Sequence, residues 1–297
     1  VVTGSLPEPV LLVGPVTIDE IAGERRLGGV VSYAASVVSA FGLRARILTI
    51  ASPDTDLSPL AAHDLHVVED SATLTFSFNQ TSEGRQLTAL ARPSRALTAE
   101  DLPSAWRSPH TFILGTLIED DIDLESFAPL VRSASRTGIA TQGLQRHATP
   151  VVTRGPLQNL SSLLPLCTPA TSLFRSEREA SYWTPDQLAA VVNTGVRIVT
   201  THGQRGAEVQ LRDEHLQIPP VVFESEIDST GAGDIFASAF ILALDEGDAA
   251  AGRLAAAFSA ASVAHRGPGP LPIRAEIERR LAAAAIVGDD VHSGAPN

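Results

Sequence analysis

Asp228-Ser229-Thr230-Gly231-Ala232-Gly233-Asp234 runs straight into Ile235-Phe236-Ala237-Ser238-Ala239-Phe240. Small residues between Thr230 and Gly233 allow backbone N–H groups to converge at the mouth of a helix, where the helix dipole favours an anion. Asp234 then falls in the first turn, a favoured place for a carboxylate. A carboxylate beside a bound phosphate suits orienting a hydroxyl and accepting its proton during in-line phosphoryl transfer. The same residues also suit a glycine turn with an aspartate that only caps the helix. The order Gly-x-x-x-x-Gly-Lys-Ser/Thr is missing, so this is not a Walker A loop.

Moving outward, short apolar runs alternate with helical patterns. Val10–Val13 is expected as a buried strand ending at Gly14-Pro15 and feeding a loop that carries Asp19. Ile21 to Leu27 suits a short exposed strand, and Val30–Phe41 a packed helix closed by Gly42. Arg46–Ile50, Thr111–Leu114, Gly138–Thr141, Leu163–Cys167 and Arg197–Thr200 are expected as core strands. Ile122–Ala134, Thr184–Asn193 and Asp234–Leu244 are expected as crossover helices. Two more helices are expected at Ala249–Ala264 and Arg274–Ile286, with a frayed tail from Gly288 to Asn297. This order predicts an α/β protein with a central, mostly parallel sheet flanked by helices. Ser71–Phe78 and Arg85–Leu90 break the pattern, because their alternation suits an antiparallel pair across a turn at Gln80 to Gly84.

Composition narrows the chemistry. The 297 residues carry Lys+Arg 22 against Asp+Glu 34, a net charge of -12, with a pI near 5.1. That balance argues against a nucleic-acid partner. No lysine occurs, so a cation steadying phosphate must be arginine or a metal. Cys167 is the single cysteine and offers neither a disulfide nor a zinc knuckle. No apolar run has spanning length, and the first 13 residues lack a basic start followed by an apolar core. A soluble, cytoplasmic protein is expected.

The run from Asp228 to Asp234 resembles the Asp-Thr-x-Gly-Ala-Gly-Asp signature of the ribokinase-like, or PfkB, carbohydrate kinases, with Ser229 in place of threonine. Gly14, Asp19 and the pair Gly28-Gly29 resemble that family's first strand, its substrate aspartate and its hinge glycines. Ser176-Glu177-Arg178-Glu179 is similar to an Asn-x-x-Glu motif, and Thr201-His202-Gly203-Gln204-Arg205-Gly206 to a Thr-x-Gly-x-x-Gly motif. The resemblance implies one kinase domain over residues 1–297, with a small β-sheet lid formed by about 17–28 and 71–92. It implies Asp234 as base, with the N–H groups of Gly231, Ala232 and Gly233 stabilising charge on the transferring phosphate. Asp19, Gly28, Gly29, Tyr33 and Arg146 become acceptor-site candidates. Thr201, Gly203, Gly206 and Thr230 would line the ATP site with the glycine turn, and Ala256 to Gly267 would pack near the adenine. Glu179 would organise Mg2+, and K+ would sit near Asp228.

Several departures carry information. Ser176 replaces the usual asparagine, and Val30-Val31-Ser32-Tyr33 follows the glycine pair where ribokinase has Lys-Gly-Ala-Asn, which argues against ribose. Gln142-Gly143-Leu144-Gln145-Arg146 is similar to the Gln-Gly-x-x-Arg stretch of members acting on inositol-like substrates. A sugar, inositol or related polyol is therefore the expected acceptor. A nucleoside kinase, or a metabolite-binding protein without turnover, is the alternative. Arg85 has a weaker claim on the acceptor, His202 on the nucleotide loop, and the outer lid face on a homodimer contact.

Overall fold

The run Val10–Val13, buried at all four positions, forms β1, the centre around which the sheet of a computed structural model is laid. The structure describes residues 9–81, 84–223 and 225–292. The strands that follow are β2 (Thr17–Ile21), β3 (Glu24–Gly28), β4 (Ala45–Ala51), β5 (Asp64–Glu69), β6 (Leu74–Thr81), β7 (Gly84–Ala91) and β8 (Thr111–Gly115). Further on come β9 (Arg136–Ala140), β10 (Arg146–Thr149), β11 (Val151–Arg154), β12 (Thr171–Ser176), β13 (Arg197–Thr201), β14 (Ala207–Leu211) and β15 (Glu214–Ile218). The helices are α1 (Val30–Ala40), α2 (Leu124–Ser133), α3 (Leu160–Leu163), α4 (Glu177–Ala180), α5 (Pro185–Val192), α6 (Ala232–Ala243), α7 (Asp248–Ser262) and α8 (Arg274–His292).

Nine strands form the large sheet in the order β15-β14-β13-β12-β9-β8-β1-β4-β5. Every pairing from β13 to β5 is parallel, and the β14–β15 hairpin closes one edge antiparallel. Parallel strands need crossovers, and the helices that supply them cover both faces. One face buries α1, α6 and α7, and the other buries residues of α2, α3 and α5. Helix α6 is buried at every position from Ile235 to Ile241, as befits a helix apolar on all sides. It lies close on the sheet because Gly138 of β9 has no side chain: a Cβ there would come within 2.7 Å of Ile241.

The second sheet has six strands in the order β10-β11-β7-β6-β2-β3. Its inner face gathers a smaller apolar cluster that includes Leu74, Phe76, Leu87, Leu117, Ala148 and Val152.

Four expectations need correcting. Asp19 sits within β2, not in a loop, and it is 6% exposed. The strand is five residues long and carries two acids, so its apolar alternation is weak. Leu163–Cys167 is not a strand: α3 runs there into a 3-10 turn over Leu164–Leu166. Leu163 and Leu166 are both fully buried at helical spacing, and Pro165 lacks the N–H that a central strand needs. The core strand is instead β12, which begins Thr171-Ser172 and contains Arg175. The hairpin β10–β11 lies outside the expected strands altogether, and α8 continues past Ile286 to His292. The side chain of Arg85, residues 82–83 of the expected turn and the end of the expected tail, 293–297, fall outside the described residues.

Candidate active site

Gly231 begins the site by its backbone. Its φ of 80° and ψ of -4° are left-handed, and it serves as the N-cap of α6 without a side-chain cap. A Cβ on it would strike the ring of Tyr33 at 2.2 Å, so Tyr33 packs close against the turn. The turn is tied together by the Asp228 carboxylate, which accepts from the N–H of Thr230 at 3.0 Å. Of the three amides proposed as an anion cradle, the N–H of Ala232 donates to the Ser229 carbonyl at 3.2 Å. Gly231 and Gly233 stand at the end of the helix where N–H groups have no intrahelical acceptor. Around Gly233 there is open space: among the described residues, nothing beyond its own helix backbone and chain neighbours comes within 4 Å of where a Cβ would lie. Among the described residues, the buried hydroxyl of Thr230 has no hydrogen-bond partner.

Asp234, in the first turn of α6, has its carboxyl pushed up to about 7. Burial is the main cause, the Glu179 and Asp19 carboxylates push the same way, and the Arg146 guanidinium opposes them. These four side chains come from α6, α4, β2 and β10, so the turn faces a cleft between the two sheets. Burial likewise pushes the Tyr33 phenol up, helped by Asp19, Asp234 and Asp228.

Asp19 is held from two sides. The Thr17 hydroxyl donates to its carboxylate at 2.9 Å, and Gly28 on the paired strand leaves the room it needs. A Cβ on Gly28 would come within 2.5 Å of Asp19 Oδ2. Gly29, with φ 89°, then turns the chain into α1. Arg26 on β3 reaches Asp228 at 3.8 Å and pairs with Glu24, joining the second sheet to the glycine turn.

Glu179 forms a capping box at the start of α4. Its carboxylate accepts from the Ser176 N–H at 2.7 Å, and its own N–H donates to the Ser176 hydroxyl at 3.2 Å. Gln145, fully buried, donates to the Glu179 carbonyl at 2.8 Å. Arg146 donates to the Leu117 carbonyl at 3.3 Å and to Gln142 Oε1 at 2.7 Å.

A cavity of about 570 Å³ opens on the other side of the turn. Thr201, Gly203 and Gly206 line one wall with Ala232 and Gly233, and Val221, Phe223, Ala256, Ala260 and Val263 make the rest largely apolar. His202 lies beside it within the same loop, 3.8 Å from Glu177. Among the described residues no three His, Cys, Asp or Glu side chains form a metal-holding group.

The pattern of residues 113–274, more than half of the chain, matches the pfkB family carbohydrate kinase model. The chain belongs to the PfkB family. It is accordingly a kinase-type enzyme, a phosphotransferase acting on a small hydroxyl-bearing molecule. The matched segment holds Arg146, Glu179 and Asp234, whereas Asp19 and Gly28-Gly29 precede it.

Solved structures share the PfkB fold. One is a pyrophosphate-dependent kinase of the ribokinase family complexed with a pyrophosphate analog and myo-inositol. It is similar at a TM-score of 0.71 and 20% identity, over 91% of this chain and 99% of that one. Arabidopsis thaliana ribokinase, complexed with ribose and ATP, gives 0.66 and 17% over 91% and 97%. A Burkholderia thailandensis nucleoside kinase in complex with inosine gives 0.67 and 20% over 93% and 97%. No curated protein matches by sequence. No helix among the described residues is long and apolar enough to cross a membrane.

The turn, Asp19 and Arg146 carry residue-level signals, but the packing of Tyr33 on Gly231 joins positions far apart in the chain and has none. The role of Gln145 in holding α4 was also missed, although it lies in the same Gln-Gly-x-x-Arg stretch.

Proposed function

We propose that this PfkB-family enzyme transfers the terminal phosphoryl group of ATP to a hydroxyl of a sugar, inositol or related polyol, with Asp234 as general base. The observation that carries this reading is the position of Asp234: a carboxylate in the first turn of α6, between unpaired N–H groups and the field of Asp19. Asp19 and Arg146 hold acceptor hydroxyls, and Tyr33, Gly28 and Gly29 shape the pocket around them. The acceptor oxygen gives its proton to Asp234 as its bond to phosphorus forms, and the bond from phosphorus to the ADP oxygen breaks. Gly231 and Gly233 N–H groups stabilise charge on the phosphoryl oxygens, and Ala232 fixes the turn. The second sheet closes over the acceptor and excludes water.

The apolar cavity supports a nucleotide donor over pyrophosphate, because a flat base gains from burial against Phe223, Val221 and Ala260 and an inorganic anion does not. Thr201, Gly203 and Gly206 would border the nucleotide, and the unpartnered Thr230 hydroxyl fits a phosphate oxygen. Mg2+ is usually held by one or two carboxylates together with substrate phosphates, so Glu179 fits that ion without a preformed protein cage. The ion would neutralise the donor phosphates. K+ beside Asp228 would share that carboxylate with Arg26. The protein acts in the cytoplasm on this reading.

An acceptor screen of matched sugars, inositols and nucleosides tests the reading, following ADP release with ATP or phosphate release with pyrophosphate, in Mg2+ and K+. ATP with a polyol is expected to give turnover. Turnover only with nucleosides, only with pyrophosphate, or with no acceptor at all would overturn it. The variant Asp234→Asn is expected to lose roughly 10²–10⁴ in kcat while still binding ADP.

A further inference from the structure

Arg26 of β3 stands directly opposite Asp19 of β2. Opposed residues of an antiparallel pair share a face, so Arg26 lies on the side of the second sheet that Asp19 turns to the cleft. Its neighbour Arg25 alternates to the other face, where it is exposed and pairs with Glu20 at 3.2 Å. The Arg26 side chain is only 20% exposed. Its stem passes Gly267, with Cδ 3.7 Å from where a Cβ on that glycine would lie. One terminal nitrogen then comes 3.8 Å from Asp228 Oδ2, and the other goes to Glu24.

Asp228 divides its two oxygens. Oδ1 accepts from the Thr230 N–H and sets the turn, and Oδ2 faces Arg26 from a side chain only 17% exposed. The chain just before the turn is fixed as well, because the N–H groups of Ile227 and Asp228 both donate to the Val263 carbonyl, at 2.8 and 3.1 Å. A carboxylate held this firmly beside amides that would take an anion repels that anion unless a cation answers it. The turn from Asp228 to Asp234 has no basic residue of its own, and the chain has no lysine. Arg26 supplies the missing charge at Asp228, and its field also reaches the Tyr33 phenol, where it opposes burial and the push of the three aspartates. Asp234, the second acid of the turn, meets the opposing field of Arg146. Because β3 and β10 are the two edges of the second sheet, that sheet reaches the turn with one arginine from each edge.

We propose that Arg26 is a positioning residue for the phosphoryl donor, acting from the second sheet through Asp228 and without touching the donor itself. With the guanidinium in place, the carboxylate keeps the turn in shape without repelling the terminal phosphate. Without it, the same carboxylate weakens phosphate binding. The inference rests on the kinase reading for its choice of ligand, but its test needs no turnover. Binding of a methylene-bridged, non-hydrolysable ATP analogue and of pyrophosphate would be followed by calorimetry on the whole protein with Mg2+. Tetramethylammonium salts keep any monovalent metal ion from replacing the guanidinium.

Whichever probe the wild type binds should bind Arg26→Gln about tenfold more weakly, within the usual range of such couplings. Arg26→Lys, which keeps the charge and loses the fork, should stay within about threefold of wild type. Asp228→Asn keeps an oxygen for the Thr230 N–H but leaves no carboxylate to neutralise, so adding Arg26→Gln to it should cost less than about twofold. An unchanged dissociation constant in Arg26→Gln would overturn the proposal. The same tenfold loss in the Asp228→Asn background would also overturn it, since Arg26 would then be touching the phosphate directly. Wild type that binds neither probe would remove the anion cradle and the proposal together. If the loss depends on Asp228 as expected while no acceptor is phosphorylated, the linkage stands and the kinase reading falls.

Discussion

At the scale of single residues, the proposed mechanism makes one proton on Asp234 govern both rate and stability. Burial lifts its carboxyl to about 7, so the base-competent form fills only as pH rises through that value. The acid limb of kcat/KM for the acceptor is expected to rise with an apparent pKa near 7; a rate already level at pH 5 would refute that assignment. The stability effect has the opposite slope. Because the folded pKa is raised above the unfolded value near 3.9, the fold binds more protons than the unfolded chain between about pH 4 and pH 7. The contribution is full below that window and is lost as pH rises through 7. At pH 8 the free Asp234→Asn variant should therefore be more stable by about 1–2 kcal/mol in urea denaturation, less than the whole shift implies because the carboxylate keeps some solvent contact. Asp121, also lifted to about 7 by burial, leaves part of the pH slope in that variant. Asp234 and the glycine turn before it were legible as neighbours because they lie within seven consecutive residues. Their fit against Tyr33 was not, since tertiary packing brings it there. Gly231→Ala meets both the ring at 2.2 Å and a left-handed φ, and a stability loss of about 1–3 kcal/mol is expected. An unperturbed midpoint would show that the turn and ring can part freely.

At the scale of elements, α4 shows how a four-residue helix can fix a functional candidate. A helix this short cannot sustain itself, so its caps decide its existence. Ser176 and Glu179 supply both bonds of the capping box, and Gln145 grips its carbonyl side. Ser176→Ala should cost about 0.5–2 kcal/mol, whereas Ser176→Asn, another good N-cap, should cost much less. Equal losses in the two denaturation curves would show that the cap is unimportant. The motif around Glu179 was visible in sequence, but its capping bonds were not: a carboxylate that caps a helix and one that would order metal-bound water have the same spelling. Strand legibility followed burial. Val10–Val13 and Thr111–Gly115, buried on both faces, stand out as apolar runs. Thr171–Ser176 hides behind hydroxyls and Arg175, whose Nε donates to the Thr200 hydroxyl at 3.1 Å and whose guanidinium lies 4.4 Å from the centre of the Trp183 ring. Apolar Leu163–Cys167 misleads because a helix turn also buries leucines three apart.

At the scale of the whole molecule, the large sheet is secured by apolar clusters on both faces, while the second sheet rests on one smaller cluster. Regions with fewer buried apolar contacts open at lower free energy, so the second sheet should exchange its amides sooner. Yet it carries Asp19 on β2 and Arg146 on β10, whereas Asp234 and Glu179 belong to helices on the large sheet. An acceptor held by both sets must link the sheets, and binding that favours the linked form stabilises it by mass action. Hydrogen exchange in the presence of ADP and an acceptor should therefore slow at residues 17–28 and 146–154 by at least about tenfold, within what a saturating ligand supplies. Amides of β8, β9 and the middle of α6, already shielded by the large core, should change little, and ADP alone should protect chiefly the rim of its cavity near Gly203 and Phe223. Slowing confined to that rim even with the acceptor present would mean that Asp19 and Arg146 do not meet the substrate, and that the second sheet does not close upon it.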